Sequence, residues 1–166
     1  MRTLFQFIIK FIASGFGAGF FPLAPGTIGT VVGLGAWFFL GQSGYINQGP
    51  DYVVLLIGTI IIGLITAHLC VGFGKTEEEG KFESDPQYVV IDEWAGLFIT
   101  LYGVGFTNYT HAIIGFILFR IFDIVKPEPC GALENLPGGI GVMADDIAAG
   151  IYAYLAFAVL QALIHF

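Results

Sequence analysis

Charge is scarce in this chain of 166 residues: charged residues make up 11% of it and hydrophobic residues 56%. A soluble domain carries roughly a quarter charged residues, so this sequence lacks the polar surface that would cover a core in water. Together with a mean hydropathy of +0.82, the composition predicts that a lipid bilayer surrounds the protein. The net charge of −7 argues against nucleic acid as a partner, because nucleic-acid binding needs a basic surface.

Cysteine is scarce as well, and no signal peptide is recognisable. Cys70 and Cys130 are too few for a disulfide framework, and we expect two free thiols. Lys10 interrupts the N-terminal apolar run, and no small-residue cleavage site followed by a polar chain is present. We therefore expect residues 1–166 to form a single integral-membrane domain.

The apolar runs predict an all-α fold, a polytopic bundle of membrane helices with about five crossings. A crossing needs about 20 mostly apolar residues. The region Trp94–Val125 is long enough to cross twice, with a break at Gly103–Thr110, and a re-entrant hairpin is the alternative. Leu4–Ala13 is too short to cross and predicts an interfacial helix. The remaining predicted spans are Thr27–Gly41, Tyr52–Phe73 and Ile147–Phe166.

The basic residues predict the orientation of the chain. In a five-crossing chain they all fall on one side, and basic residues favour the cytoplasmic side of a membrane. This places the N-terminus and the loops 74–91 and 126–144 in the cytoplasm, and the C-terminus outside. The residues concerned are Arg2, Lys10, Lys75, Lys81, Arg120 and Lys126.

Two polar stretches at the predicted cytoplasmic edge precede apolar runs. The first, "FFPLAPGTIGT", carries Pro25, Gly26 and Thr27, which suit a helix start whose exposed N–H groups attract anions. A plain junction between loop and helix is the alternative reading. The second, "DPQYVVIDEWAGLFIT", adds the acidic residues Asp85, Asp92 and Glu93.

Two further polar stretches reach the same edge. In "FRIFDIVKP" Arg120, Asp123 and Lys126 recur every three residues, which predicts that they share one helical face. In "GVMADDIAAG" Asp145 and Asp146 stand at the head of the last predicted span. A salt bridge between Arg120 and Asp123 is the structural alternative. Ionisable groups beside a span are costly, however, so their convergence on one edge indicates function.

The acidic residues of these stretches predict a metal site. Carboxylates crowded into one small site repel one another, and a divalent cation would offset that repulsion. Oxygen ligands without nearby histidine or cysteine favour Mg²⁺ or Mn²⁺, and Arg120 and Lys126 would bind substrate phosphate. Gly96 and Gly150 lie four residues beyond two of the acids, which predicts a close helix approach. The predicted metal ligands are Asp92, Glu93, Asp123, Asp145 and Asp146.

The blocks "PLAPGTIGT", "VVIDEWAG", "FRIFDIVKPEP" and "GGIGVMADDIAAG" resemble, in this order, those of the phosphatidylglycerophosphatase A family. The resemblance covers nearly the whole chain, although Thr30 stands where serine is expected. It implies a small Mg²⁺-dependent enzyme of the bacterial cytoplasmic membrane that converts phosphatidylglycerophosphate to phosphatidylglycerol. The matching positions are Pro25, Gly26, Thr27, Asp92, Glu93, Arg120, Asp123, Lys126, Pro127, Asp145, Asp146 and Gly150.

The favoured mechanism is metal-assisted hydrolysis of a phosphomonoester, and attack by a carboxylate through an aspartyl-phosphate stays open. A divalent-cation channel or carrier is a competing function, although the central and outer parts of the spans lack charge. A phosphatase acting on another membrane lipid precursor is a second alternative. The predicted phosphate-binding residues are Gly26, Thr27, Arg120 and Lys126, and the predicted catalytic residues are Asp92, Glu93, Asp123, Lys126 and Asp146.

Overall fold

A computed structural model describes residues 2–73 and 86–164, and every regular element in these two ranges is helical. The predicted all-α class is confirmed. A short 3-10 turn, Ala18–Phe20, precedes the second helix. The predicted positions Lys75, Lys81 and Asp85 lie outside the described residues. The helices are α1 (Arg2–Ala13), α2 (Pro25–Gln42), α3 (Pro50–Phe73), α4 (Ile91–Thr100), α5 (Tyr109–Val125), α6 (Cys130–Leu133) and α7 (Gly139–Ile164).

The short helix α4 lies at the centre of the bundle. It packs against α2, α3, α5 and α7, and eight of its ten residues are buried. Trp94 anchors it to α2, because the indole Nε1 donates a hydrogen bond to the carbonyl oxygen of Gly29 at 2.8 Å. A Cβ atom at Gly33 would lie 2.7 Å from the same indole ring. Glycine in α2 therefore allows the close approach that fixes α4 and the acidic residues in its first turn.

Two of the described helices, α3 and α7, are long and apolar enough to cross a membrane, judged by length and composition. Helix α4 has 10 residues, so it rises only about 15 Å, half of the roughly 30 Å of hydrocarbon in a bilayer. The predicted hairpin is present as α4 and α5, joined by residues 101–108. Five full crossings stay a prediction, as does an interfacial position for α1.

The start of the last helix differs from the prediction. Helix α7 begins at Gly139, whereas the sequence predicted a span from Ile147 with the acid pair at its head. Asp145 and Asp146 thus lie nearly two turns inside α7. Glycine allows the added first turns of α7 to pack closely on α3: a Cβ at Gly139 would lie 2.5 Å from the backbone nitrogen of His68.

Candidate active site

The predicted site residues come together at one end of the bundle. The start of α2, the first turn of α4, the end of α5 and the second turn of α7 meet there. The prediction that Gly96 and Gly150 bring two acid-bearing helices together is confirmed, since their backbones are in direct contact. Asp92 and Asp146 each lie one helical turn before these glycines, so the glycine contact brings the two acidic turns to the same level.

Arg120 of α5 is the centre of one half of this site. Its Nη1 donates to Asp123 Oδ2 at 2.6 Å and to Glu93 Oε1 at 3.1 Å. The salt bridge between Arg120 and Asp123, which the sequence offered as an alternative to a functional role, is therefore present. A guanidinium group fits this role because its planar array of donors can serve several acceptors at once. Arg120 holds two of the five predicted metal ligands in place.

Helix α2 completes this half of the site with two hydroxyl groups and a glycine. Arg120 donates through Nη2 to Thr27 Oγ1 at 3.3 Å and through Nη1 to Thr30 Oγ1 at 3.2 Å. The Thr30 hydroxyl lies 2.8 Å from the carbonyl oxygen of Gly26 and 3.2 Å from Glu93 Oε2. A Cβ atom at Gly26 would collide with Glu93 Oε1. A side chain at position 26 would therefore displace the Glu93 carboxylate from its place beside Arg120 and Thr30.

Lys126 belongs to the other half of the site, which corrects the prediction that it shares a helical face with Arg120 and Asp123. Helix α5 ends at Val125, and Lys126 has the left-handed backbone φ of 45°. Its Nζ donates to Asp145 Oδ2 at 2.8 Å and to Glu134 Oε2 at 2.9 Å. A left-handed conformation costs a residue other than glycine roughly 1–2 kcal/mol, and such strain often marks functional positions.

The protonation of Lys126 follows from these partners. Burial by itself would lower the pKa of Lys126, but the hydrogen bonds and negative charges of Asp145 and Glu134 outweigh burial and raise that pKa above its ordinary value. The amine therefore carries its positive charge throughout the physiological pH range. A fixed cation at this position can pair with a phosphate group.

The acid pair of α7 is buried: Asp145 is 6% exposed and Asp146 is 4% exposed. Asp145 Oδ2 accepts a hydrogen bond from Lys126, while its Oδ1 is buried and has no hydrogen-bond partner among the described residues. Asp146 faces Asp92, Asp123 and Asp145 and is within hydrogen-bonding reach of Asp123. Because both residues lie inside α7, they do not cap its N-terminus. Four carboxylates from three helices therefore share one largely buried region.

Asp92 completes the group from the first turn of α4. It is 5% exposed, and its Oδ1 accepts a hydrogen bond from the backbone N–H of Glu93 at 2.9 Å. The negative charge also lies at the N-terminal end of α4, where the positive end of the helix dipole stabilises it. The fold thus stabilises an acidic residue that would otherwise be costly to bury.

The donor set fits a hard cation in its chemistry. All the predicted acidic ligands offer oxygen, and the buried Oδ1 of Asp145 has no partner within the part of the chain that the structure describes. Within residues 2–73 and 86–164, no three acidic, histidine or cysteine side chains are arranged so that they could hold a metal ion by themselves. Mg²⁺ commonly binds through one or two carboxylates, with waters and substrate phosphate as further ligands. A complete protein cage is therefore not required of a magnesium site.

Sequence reasoning missed two contributors to the site. Glu134, which follows α6, is the second carboxylate on Lys126, and no local pattern links residues eight positions apart across a loop. Thr30 was noted for its hydroxyl but was not assigned to the site. The spacing Gly26–Thr27–Thr30 places these three residues on one side of α2, a signal that could have included it.

Comparison with known proteins places these residues in a family. The family model described as phosphatidylglycerophosphatase A matches residues 11–161. A Bacteroides thetaiotaomicron protein, provisionally named a phosphatidylinositol-3-phosphatase, is 38% identical over 93% of this chain and 94% of its own length. No solved structure matches the chain.

Two relatives carry the family's name. The phosphatidylglycerophosphatase A of Haemophilus influenzae is 34% identical over 92% of this chain and 88% of its own length. That of Escherichia coli K12 is 31% identical over 84% of this chain and 76% of its own length. The chain belongs to the phosphatidylglycerophosphatase A family, and so to the lipid phosphatases.

Proposed function

We propose that this protein hydrolyses the terminal phosphomonoester of phosphatidylglycerophosphate, releasing phosphatidylglycerol and inorganic phosphate. One observation carries the proposal. The four sequence blocks that resemble the family meet at one end of the bundle, where a lysine and an arginine lie among buried carboxylates. Such a combination of cations and acids suits the binding and hydrolysis of a phosphate ester.

The two cations have different roles in this proposal. The Nη atoms of Arg120 bind Glu93, Asp123, Thr27 and Thr30, so Arg120 chiefly holds these side chains in position. Lys126 is the more accessible of the two, with 30% of its side chain exposed against 14% for Arg120. We therefore assign Lys126 as the main contact for the phosphate and place Arg120, Gly26 and Thr27 beside it.

The acidic residues are assigned to a magnesium site. One or two of the carboxylates of Asp92, Asp145 and Asp146 would hold the ion together with waters and the substrate phosphate, with Glu93 and Asp123 next to them and anchored by Arg120. When bound, Mg²⁺ would polarise the phosphoryl group and lower the pKa of a coordinated water. Attack of water on phosphorus would break the bond to the ester oxygen, the proton lost by the water would pass to that oxygen, and Lys126 would offset the charge on the phosphoryl oxygens. Attack by an aspartate carboxylate in place of water is the second route.

An apolar cavity that shares helix α4 with the acidic residues supports a lipid substrate. It has a volume of about 390 Å³ and lies among α1, α2, α3 and α4, and its lining includes Ile91 and Trp94 from the first turn of α4. Apart from Thr59, whose hydroxyl is already bonded to the carbonyl oxygen of Leu55 at 2.9 Å, its lining is hydrophobic. A hydrocarbon chain suits such a cavity because it needs no hydrogen bonds.

The proposed setting is the bacterial cytoplasmic membrane, with α3 and α7 crossing it and the acidic end facing the cytoplasm. The basic residues Lys10, Arg120 and Lys126 favour this orientation. Asp51, at the start of α3, is exposed and accepts a surface hydrogen bond from the side chain of Asn47. Since the buried acids are confined to one end of the bundle, they do not form the path through the membrane that a cation channel would need.

Phosphatidylinositol 3-phosphate is a second candidate substrate, because the Bacteroides relative carries the corresponding name. Both lipids present a phosphomonoester at the membrane surface. The discriminating experiment gives purified protein three substrates in the presence of Mg²⁺: phosphatidylglycerophosphate, phosphatidylinositol 3-phosphate and deacylated glycerophosphoglycerophosphate. We expect the first to be hydrolysed fastest and the deacylated ester slowly. Faster hydrolysis of phosphatidylinositol 3-phosphate would identify that lipid as the substrate. Release of phosphate from none of the three compounds would refute both candidate functions.

A further inference from the structure

The half-exposed carboxylate of Glu134 forms an ion pair with Lys126, the lysine assigned to bind the substrate phosphate. Lys126 Nζ makes two ion pairs of nearly equal length, 2.8 Å to Asp145 and 2.9 Å to Glu134. The surroundings of the two carboxylates differ sharply, because the Asp145 side chain is 8% exposed and the Glu134 side chain is 47% exposed. Asp145 is thus a permanent partner of the lysine, whereas Glu134 can exchange Lys126 for water at little cost.

The local fold keeps Glu134 close to Lys126 without locking it there. Glu134 follows the four-residue helix α6, which packs against α7. The next residue, Asn135, closes the turn by donating from its side chain to the carbonyl oxygen of Gly131 at 2.9 Å. Because the backbone is held while the side chain is half-exposed, the carboxylate can leave Lys126 without unfolding of α6.

We propose that Glu134 is a displaceable stand-in for the substrate phosphate: it neutralises Lys126 in the free enzyme and yields that lysine to the incoming phosphate. A phosphomonoester brings two negative charges and would be repelled by a carboxylate that stayed in place. Glu134 would also compete with inorganic phosphate for Lys126 and so promote product release. The inference rests on the proposed phosphatase function and assigns Glu134 as a positioning residue that sets the affinity for phosphate.

The substitution Glu134→Gln tests the inference because it keeps the shape and removes the charge. Without a competing anion, the KM for phosphatidylglycerophosphate and the inhibition constant of inorganic phosphate should both fall about three- to fivefold, as expected for loss of a partly exposed ion pair. The kcat should fall or stay level, because product leaves more slowly. A residue that only braced the α6 turn would give the opposite pattern, with KM raised or unchanged.

Glu128→Gln is the matched control. Glu128 is an exposed acid in the same loop, and no salt bridge to it is found among the described side chains. Its substitution removes the same charge from the surface but should leave both constants within about twofold. Equal falls in both variants would indicate a general surface-charge effect and overturn the inference, as would constants unchanged in Glu134→Gln. Inactivity of the wild-type protein on lipid phosphates would instead refute the proposed function.

Discussion

Gly150 of α7 lies against Gly96 of α4 so closely that a Cβ atom at Gly150 would be 2.8 Å from the Gly96 Cα atom. Thr100 joins the same contact, since its hydroxyl lies 3.0 Å from the carbonyl oxygen of Gly96 and 3.2 Å from that of Gly150. One helical turn away, Asp92 and Asp146 stand on the two helices that this contact joins. The distance between acidic residues in the candidate site therefore depends on two glycines that carry no chemistry.

The substitution Gly150→Ala should damage both stability and activity. The added methyl group has no room and must push α7 away from α4, at a cost of roughly 1–3 kcal/mol. We expect a lower melting temperature in detergent and a loss of phosphatase activity of at least about tenfold. Gly58→Ala in α3 is the control, because no described residue outside its own helical turn lies within 4 Å of a Cβ atom there. Equal behaviour of the two variants would contradict the account of the helix contact.

Replacement of either acid of the α7 pair should nearly abolish turnover. Asp146→Asn and Asp145→Asn keep the side-chain volume and remove a charge from residues that are 4% and 6% exposed. We expect phosphate release to fall at least about 10²-fold, comparable with the loss of one electrostatic contact in a transition state. Because α7 begins at Gly139, helix capping offers no alternative explanation of such a loss.

The control for the acid pair is Asp51→Asn at the opposite end of the bundle, where the carboxylate is exposed and accepts a hydrogen bond from Asn47 at 3.2 Å. This variant should retain wild-type activity. Folding of all three variants is checked by gel filtration in detergent. Well-folded Asp145→Asn and Asp146→Asn proteins with wild-type turnover at limiting Mg²⁺ would remove the pair from the site.

Thr30 offers a separate test of the half of the site organised by Arg120. Thr30→Val is nearly isosteric but removes the hydroxyl that accepts from Arg120 at 3.2 Å and lies 3.2 Å from Glu93 Oε2. Leaving these buried groups without that partner costs about 1–3 kcal/mol, so we expect a roughly tenfold or larger fall in kcat. Thr30→Ser keeps the hydroxyl and should stay within about threefold of wild type. Equal losses in both variants would point to packing of the methyl group instead.

The predicted orientation can be tested with engineered cysteines. Tyr45, between α2 and α3, is 76% exposed, and Glu128 is exposed at the acidic end. The native Cys70 and Cys130 are both free and buried, so they should contribute little background labelling. A cysteine at position 45 should react with a membrane-impermeant reagent from outside intact cells, and one at position 128 only after permeabilisation. Labelling of position 128 from outside would reverse the proposed orientation.

The apolar runs predicted most helices, because a long hydrophobic segment in a bilayer must satisfy its backbone hydrogen bonds within itself, as a helix does. The start of α7 was missed for a physical reason. The sequence placed the start at Ile147, where the uninterrupted apolar run begins, but Gly139 and Gly141 each occupy a place where a Cβ atom would strike backbone, at His68 and Leu136 respectively. Helix propensity disfavours glycine, and only the tertiary contacts reveal why glycine continues the helix here.

Lys126 illustrates a signal that was present in the sequence. A spacing of three residues from Asp123 suggested one helical face, but Pro127 follows directly, and a residue before proline avoids the α-helical conformation. The helix accordingly ends at Val125, and Lys126 turns to Asp145 and Glu134. The pairing with Glu134 was not predictable, because it depends on how the α6 turn packs against α7.

The central claim is that the buried acids hydrolyse a lipid phosphate with the help of Mg²⁺. The most direct measurement is phosphate release from phosphatidylglycerophosphate by the purified protein in detergent, first in excess EDTA and then after Mg²⁺ is restored. Buried carboxylates that repel one another need a cation, so we predict no turnover in EDTA and full recovery with Mg²⁺. Undiminished phosphate release in excess EDTA would contradict the account.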